Sequence, residues 1–130
     1  MSEGLVPTAA QAELLAQFPS DQPLTMINLL QFKQPDGAAR YERYAREVQP
    51  HLERVGATPI YAGTAEALVI GEGLRPWWDA IVVVRYPTRQ AFVDMATGEG
   101  YAEVHEHRAA ALERTELIAT GAWDPSRPGT

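Results

Sequence analysis

The chain has 130 residues, 45% of them hydrophobic and 22% charged, with a formal net charge of −6 and no cysteine. That length specifies one domain, able to bury about two thirds of its unfolded surface. The acidic balance argues against a phosphate-neutralising nucleic-acid surface; the missing thiols exclude disulfides, a thiolate nucleophile and a cysteine-based zinc site; no apolar run approaches the ~18 residues of a membrane span. The opening "MSEGLVPTAAQAELL" has neither the basic nor the apolar region of a secretory leader, so a cytoplasmic location is expected.

Residues 8–18, "TAAQAELLAQF", read as a short helix capped by Thr8 and stopped before Pro19. After a linker, residues 24–33 alternate as a strand, with Met26, Asn28, Leu30 and Phe32 on one face and Ile27, Leu29, Gln31 and Lys33 on the other. "QPDG" is a turn, residues 38–55 are helical, and Gly56 stops that helix. Residues 58–70 read as a strand with a break at Gly63, "GEGLRP" turns the chain, and residues 77–86, "WWDAIVVVRY", form the strongest strand. Thr88 caps a helix over "RQAFVDMA", Gly98 and Gly100 interrupt it, and a second helical piece carries "YAEVHEHRAAAL". Residues 115–123 read as the last strand.

The expected division is an N-terminal helix and linker over 1–23, a core over 24–123 and a loose tail over 124–130. The core order β-α-β-β-α-β is the ferredoxin-like α+β motif, a four-stranded antiparallel sheet with helices on one face. Both faces of its central strands are apolar, one with Ala80, Val82, Val84 and Tyr86 and the other with Ile81 and Val83 beside Asp79 and Arg85. Two helices cover one face; the other needs a cover, and a second copy of the chain is the expected one, with the N-terminal helix as its competitor.

"MINLLQFK", "IYAG", "WDAIVVVRYPTRQAFVDM" and "YAEVHEHRAAALERTELIAT" resemble the longer members of the domain-of-unknown-function 1330 family, over about residues 24–122. The resemblance implies the dimeric α+β-barrel superfamily, whose members include antibiotic-biosynthesis monooxygenases, muconolactone isomerases and haem-handling proteins. It implies a homodimer with sheets facing each other, and it supplies no catalytic residue.

The helix phase sorts the polar residues. At about 100° per residue, Tyr101, Val104, Arg108, Ala111 and Leu112 form an inward stripe with Arg108 near its middle. His105 and His107 fall on opposite flanks, about 160° apart, so they do not chelate one ion and no metal is expected. Arg108 either reaches the helix edge or an internal carboxylate, Asp79 or Asp94, or anchors the carboxylate or other anion of a ligand. In the first long helix Tyr41, Tyr44, Ala45, Val48, Leu52 and Val55 face inward with His51 on the flank, and the two tyrosines read as core aromatics or pocket lining. Asn28 is a buried amide needing a partner. Arg85 repeats the pattern of Arg108, and Tyr61 and Trp78 stand where they would wall a pocket.

The expectation is a small-molecule enzyme without bound metal or cofactor, acting by isomerisation or cofactor-free oxygenation on a polar or anionic organic substrate. His51 or His107 would move the proton, since imidazole titrates near neutral pH, with Tyr44 or Tyr61 assisting. Asn28, Trp78, Arg85 and Arg108 would hold the substrate. A ligand-binding protein without turnover, and haem handling through one histidine, are the rival readings. No nucleic-acid or membrane partner is expected.

Overall fold

Capping, alternation and glycine placement set the element boundaries. The computed structural model describes residues 4–126; residues 1–3 of the N-terminal segment and 127–130 of the expected tail lie outside the described residues. The first helix, α1 (Ala9–Ala16), is held by a capping box in which Thr8 accepts from Gln11 N at 3.1 Å and Gln11 accepts from Thr8 N at 2.9 Å. β1 (Leu24–Phe32) follows, then α2 (Gly37–Arg54) and β2 (Thr58–Thr64). β3 (Ala80–Tyr86), α3 (Arg89–Ala96), α4 (Tyr101–Ala111) and β4 (Leu112–Thr120) complete the order. Thr88 caps α3 through Ala91 N at 3.0 Å. α4 runs into β4 with no residue between them.

The four strands form one antiparallel sheet in the order β2-β3-β1-β4. This is the expected α+β architecture. Pairing opposes Tyr61 to Val83, Val83 to Ile27 and Ile27 to Ile118, an apolar row across the whole sheet. The adjacent row on the other face is Ala62, Val82, Asn28 and Leu117.

Helices cover only the second of these faces. Leu24, Met26, Asn28 and Leu30 of β1 are buried there with Tyr41, Tyr44, Val48 and Leu52 of α2, Met95 of α3 and Val104 and Arg108 of α4. Fully burying an aliphatic side chain such as Leu24 or Leu30 contributes about 1.5–3 kcal/mol. None of the residues on the row Tyr61, Val83, Ile27, Ile118 is buried. Leu15 of α1 and Phe18 just beyond it pack against the helix-side core, and Phe18 lies against Gly121 beyond β4. Among the described residues no helix is long and apolar enough to cross a membrane.

Three strand boundaries differ from the sequence reading. The second strand stops at Thr64 rather than 70, because Ala65–Asp79 turns back on itself instead of extending the sheet. The third starts at Ala80 rather than 77. The last occupies Leu112–Thr120 rather than 115–123, because α4 passes straight into it.

Gly37 locks the seam where α2, β1 and the α4–β4 junction meet. Lys33 N donates to Ala111 O at 2.9 Å, Gly37 N donates to Lys33 O at 2.7 Å, and a Cβ at Gly37 would press on Ala111 O and the Phe32 side chain. Gly37→Ala is expected to destabilise the fold by about 1–3 kcal/mol. The urea midpoint should fall at constant m-value; an unchanged midpoint would show that the seam yields.

Candidate functional site

The inward phase of α4 carries Arg108 into the core, where it is 6% exposed. Its Nη2 donates to Asn28 Oδ1 at 3.1 Å and to Thr115 Oγ1 at 3.3 Å. Asn28 Nδ2 donates onward to Val82 O at 3.0 Å, and the Thr115 hydroxyl donates to Leu29 O at 2.8 Å. A buried cation is thus held by neutral oxygens that are themselves anchored on the backbone of β1 and β3. No carboxylate among the described residues pairs with it. Asp79 instead accepts from Phe32 N at 2.9 Å, and Asp94 from Gln90 Nε2 at 2.9 Å.

Tyr41 hydrogen-bonds the guanidinium, and Tyr44 and Tyr86 feel its charge. Burial holds the Tyr41 phenol above its ordinary pKa, and the adjacent Arg108, through charge and hydrogen bonding, opposes that rise. Burial likewise pushes Tyr44 well up, with the nearby Tyr101 adding to it. The Tyr44 and Tyr101 hydroxyls lie 3.2 Å apart, and the Tyr41 and Tyr44 rings 5.3 Å apart. Tyr101 in turn packs between His105, 5.9 Å away, and His51, 6.1 Å away by ring centroids. His105 Nε2 and His51 Nδ1 are buried without a hydrogen-bond partner. Desolvation first, and Arg108 second, lower the His105 pKa below its ordinary value.

A cavity of about 400 Å³ opens between α2 and the β2–β3 side of the helix-facing sheet surface. Leu30, Tyr41, Ala45, Ala62, Ala80 and Val82 are among its walls. Alanines on three elements leave the space, and Tyr41 is the wall that also touches Arg108. The Tyr41 phenol therefore stands between this cavity and a positive charge that has no carboxylate partner among the described residues.

Of the residues singled out from sequence, Asn28, Arg108 and Tyr44 converge in this cluster. His51 reaches its margin through Tyr101. His107 does not join it; Nε2 pairs with Glu47 at 3.3 Å between α2 and α4. The hydrogen bond from Arg43 leads in holding the exposed Glu47 carboxyl below its usual value. Tyr61, 60% exposed, and Arg85 lie on the open sheet face. Trp78 borders a separate cavity of about 250 Å³ with Thr64, Arg75 and Asp79.

The chain matches the family described as Domain of unknown function (DUF1330) over residues 26–122. It belongs to that family. A solved structure of a protein of unknown function from Rhodopseudomonas palustris is 31% identical, with a TM-score of 0.79 over 92% of this chain and 97% of that one. Two more distant structures share the fold. A dimeric protein of unknown function with a ferredoxin-like fold, from Bacteroides fragilis, is 10% identical with a TM-score of 0.55, over 80% of this chain and 100% of that one. SnoaB, a cofactor-independent oxygenase from Streptomyces nogalater, is 11% identical with a TM-score of 0.55, over 82% of this chain and 99% of that one. No curated protein matches the chain in sequence. This member of DUF1330 therefore has the fold of the dimeric α+β barrels, among neighbours that are mostly of unknown function.

Sequence reasoning passed over His105, Tyr101 and Thr115 as site residues, and it read Tyr41 as a core aromatic or pocket lining without its contact to Arg108. The signal for His105 and Tyr101 was present: they are one helical turn apart, on the edge of the stripe that carries Arg108. Thr115 had none, because its contact depends on the immediate α4–β4 junction.

Two measurements probe the cluster. Asn28→Leu strips the buried cation of an acceptor and removes the side-chain donor to Val82 O, so it should destabilise by about 3 kcal/mol, more than Arg108→Met, which removes the charge itself. Urea unfolding gives the order, and the reverse order would mean that the guanidinium is solvated. For His105, a native pKa below the unfolded value of about 6.5 means that the unfolded chain binds the proton first. Stability should therefore decline as pH falls below about 6.5, until the native midpoint is passed. An NMR titration should place the His105 midpoint below about 6.5 and shift it upward in Arg108→Met; a midpoint insensitive to that change would remove Arg108 as a cause.

Proposed function

We propose that the protein binds a small polar or anionic organic molecule in the cavity between α2 and the sheet, with the Arg108 centre as the anion-attracting end. The observation that carries this reading is a buried guanidinium without a carboxylate partner among the described residues, beside a tyrosine that lines the cavity. Tyr41 is the hydroxyl that donates to a ligand oxygen, because Arg108 occupies its oxygen side and leaves its proton free for the ligand. Asn28 and Thr115 hold Arg108 in place, and Tyr44, Tyr101 and His105 form the proton-exchanging wall behind it. Of the residues expected to move a proton, His51 stays at the margin, while His107 and Tyr61 serve other surfaces. Trp78 and Arg85 do likewise among those expected to hold substrate.

Chemistry of the isomerase or cofactor-free oxygenase kind needs oriented polar groups in a dry cavity and no metal, which suits this lining. The likeness to a cofactor-independent oxygenase is one of fold. A second reading, binding without turnover, draws on the cavity walls themselves: no histidine is among them, and Tyr41, Glu42 and Thr64 are the lining residues able to exchange a proton. In either case the functional unit is a homodimer joined through the open row Tyr61, Val83, Ile27 and Ile118, a pairing supported by the apolar character of that face and by the dimeric relative.

The test is a thermal-shift and NMR screen of small aromatic and aliphatic carboxylates against the intact protein. Binders should weaken ten- to hundredfold in Arg108→Met, the equivalent of about 1.5–3 kcal/mol for a hydrogen bond to a charged group, and stay unchanged in Arg85→Met. Equal loss in both variants, or retention in both, would discard Arg108 as the anchor. Turnover of a binder, followed by product analysis, separates catalysis from storage.

A further inference from the structure

The segment between β2 and β3 is a projecting arm. It is ordered by its own hydrogen bonds: Ala65 N donates to Asp79 O at 2.8 Å, Leu68 N to Leu74 O at 2.8 Å, and Arg75 Nη1 to Glu66 O at 3.0 Å. Gly71 at φ 139° and Gly73 at φ 87° close its tip in a backbone region that side chains disfavour. This closure presents Val69, Ile70 and Leu74 to solvent at 94%, 92% and 84% exposure. A single exposed aliphatic residue is ordinary; three on one shaped tip form a patch that calls for a partner.

The arm is continuous with the open sheet face. Gln31 and Arg114 are register partners on that face. Trp77, on the arm's return leg, stacks 4.0 Å over the Arg114 guanidinium, and its carbonyl accepts from Gln31 Nε2 at 3.1 Å. The apolar tip therefore springs from the rim of the surface through which two copies would pair.

Area gives the arm an occupant. Four strands about 4.8 Å apart and about three rows of side chains give a flat face of roughly 400 Å². A stable interface takes about 800 Å² from each partner. Three exposed aliphatic side chains of about 100 Å² each would add substantially to what the sheet face offers a second copy.

We propose that residues 65–78 form an intersubunit clasp, each arm laying Val69, Ile70 and Leu74 against a second copy of the chain. This goes beyond the sheet-to-sheet pairing above and rests on it. Sedimentation of the full chain would compare the wild type with an arm variant, V69S/I70S/L74S, and a sheet variant, Y61D/I118D. All five positions are exposed, so both variants should keep the wild-type circular dichroism. The clasp predicts a dimer dissociation constant raised about a hundredfold or more in the arm variant. An arm variant that dimerises like the wild type while the sheet variant is monomeric overturns the clasp and leaves the pairing intact. A wild type that is monomeric throughout overturns both.

The chain has no cysteine, so Ile70→Cys carrying a benzophenone maleimide places one photo-crosslinker on the arm tip. A covalent dimer after irradiation supports the clasp. Adducts confined to the same chain would mean that the arm folds over its own cavity, and would overturn it.

Discussion

A positive charge held in the core without a negative one organises this protein. Arg108 remains buried because two oxygens fixed by the sheet, Asn28 Oδ1 and Thr115 Oγ1, stand where its Nη2 needs them. Those oxygens are in turn positioned by hydrogen bonds to Val82 O and Leu29 O, so the charge ties α4 to three strands at once. Neutral dipoles orient a cation without neutralising it. The field that remains costs folding some desolvation energy and leaves the centre able to attract an anion.

The tyrosines convert that field into something a cavity can use. Tyr41 faces both ways, with the guanidinium at its oxygen and open space beside its ring. Its phenol stays protonated because burial outweighs the pull of the charge. A protonated phenol polarised by a neighbouring cation is a hydrogen-bond donor of the kind that oxygen-bearing substrates need. His105 is held toward its neutral form by the same combination of burial and charge, so the cluster presents a protonated phenol at Tyr41 and a neutral imidazole beside Tyr101.

The architecture was legible in the sequence because each of its signals is local or periodic. Thr8 and Thr88 cap the helices they were expected to cap, and the two-faced β1 and β3 pointed to a sheet covered on one side by helices. Helix phase alone placed Arg108 inward and sent His105 and His107 apart. What the sequence did not reveal depends on pairings distant along the chain. The register that sets Tyr61 on the open face is fixed by β2–β3 pairing with an irregularity between Pro59 and Tyr61, which no period announces. The apolar run "ALVI" reads as strand by composition, yet it leaves the sheet at Ala65, because hydrophobicity does not distinguish a residue buried by its own fold from one offered to another surface.

The direct passage of α4 into β4 works as a phase lock between two periodicities. Inserting one residue between Ala111 and Leu112 forces a choice. If the helix keeps its seat, every side chain of β4 changes face, and Ile118 exchanges the open surface for the helix side. If the strand keeps its register, the helix turns by about 100° and Arg108 leaves the core. The chain has no slack at this joint, whereas the fifteen residues between Thr64 and Ala80 can vary in length without touching either period. The arm can therefore absorb changes of length, whereas the joint that carries the buried charge must be kept residue for residue.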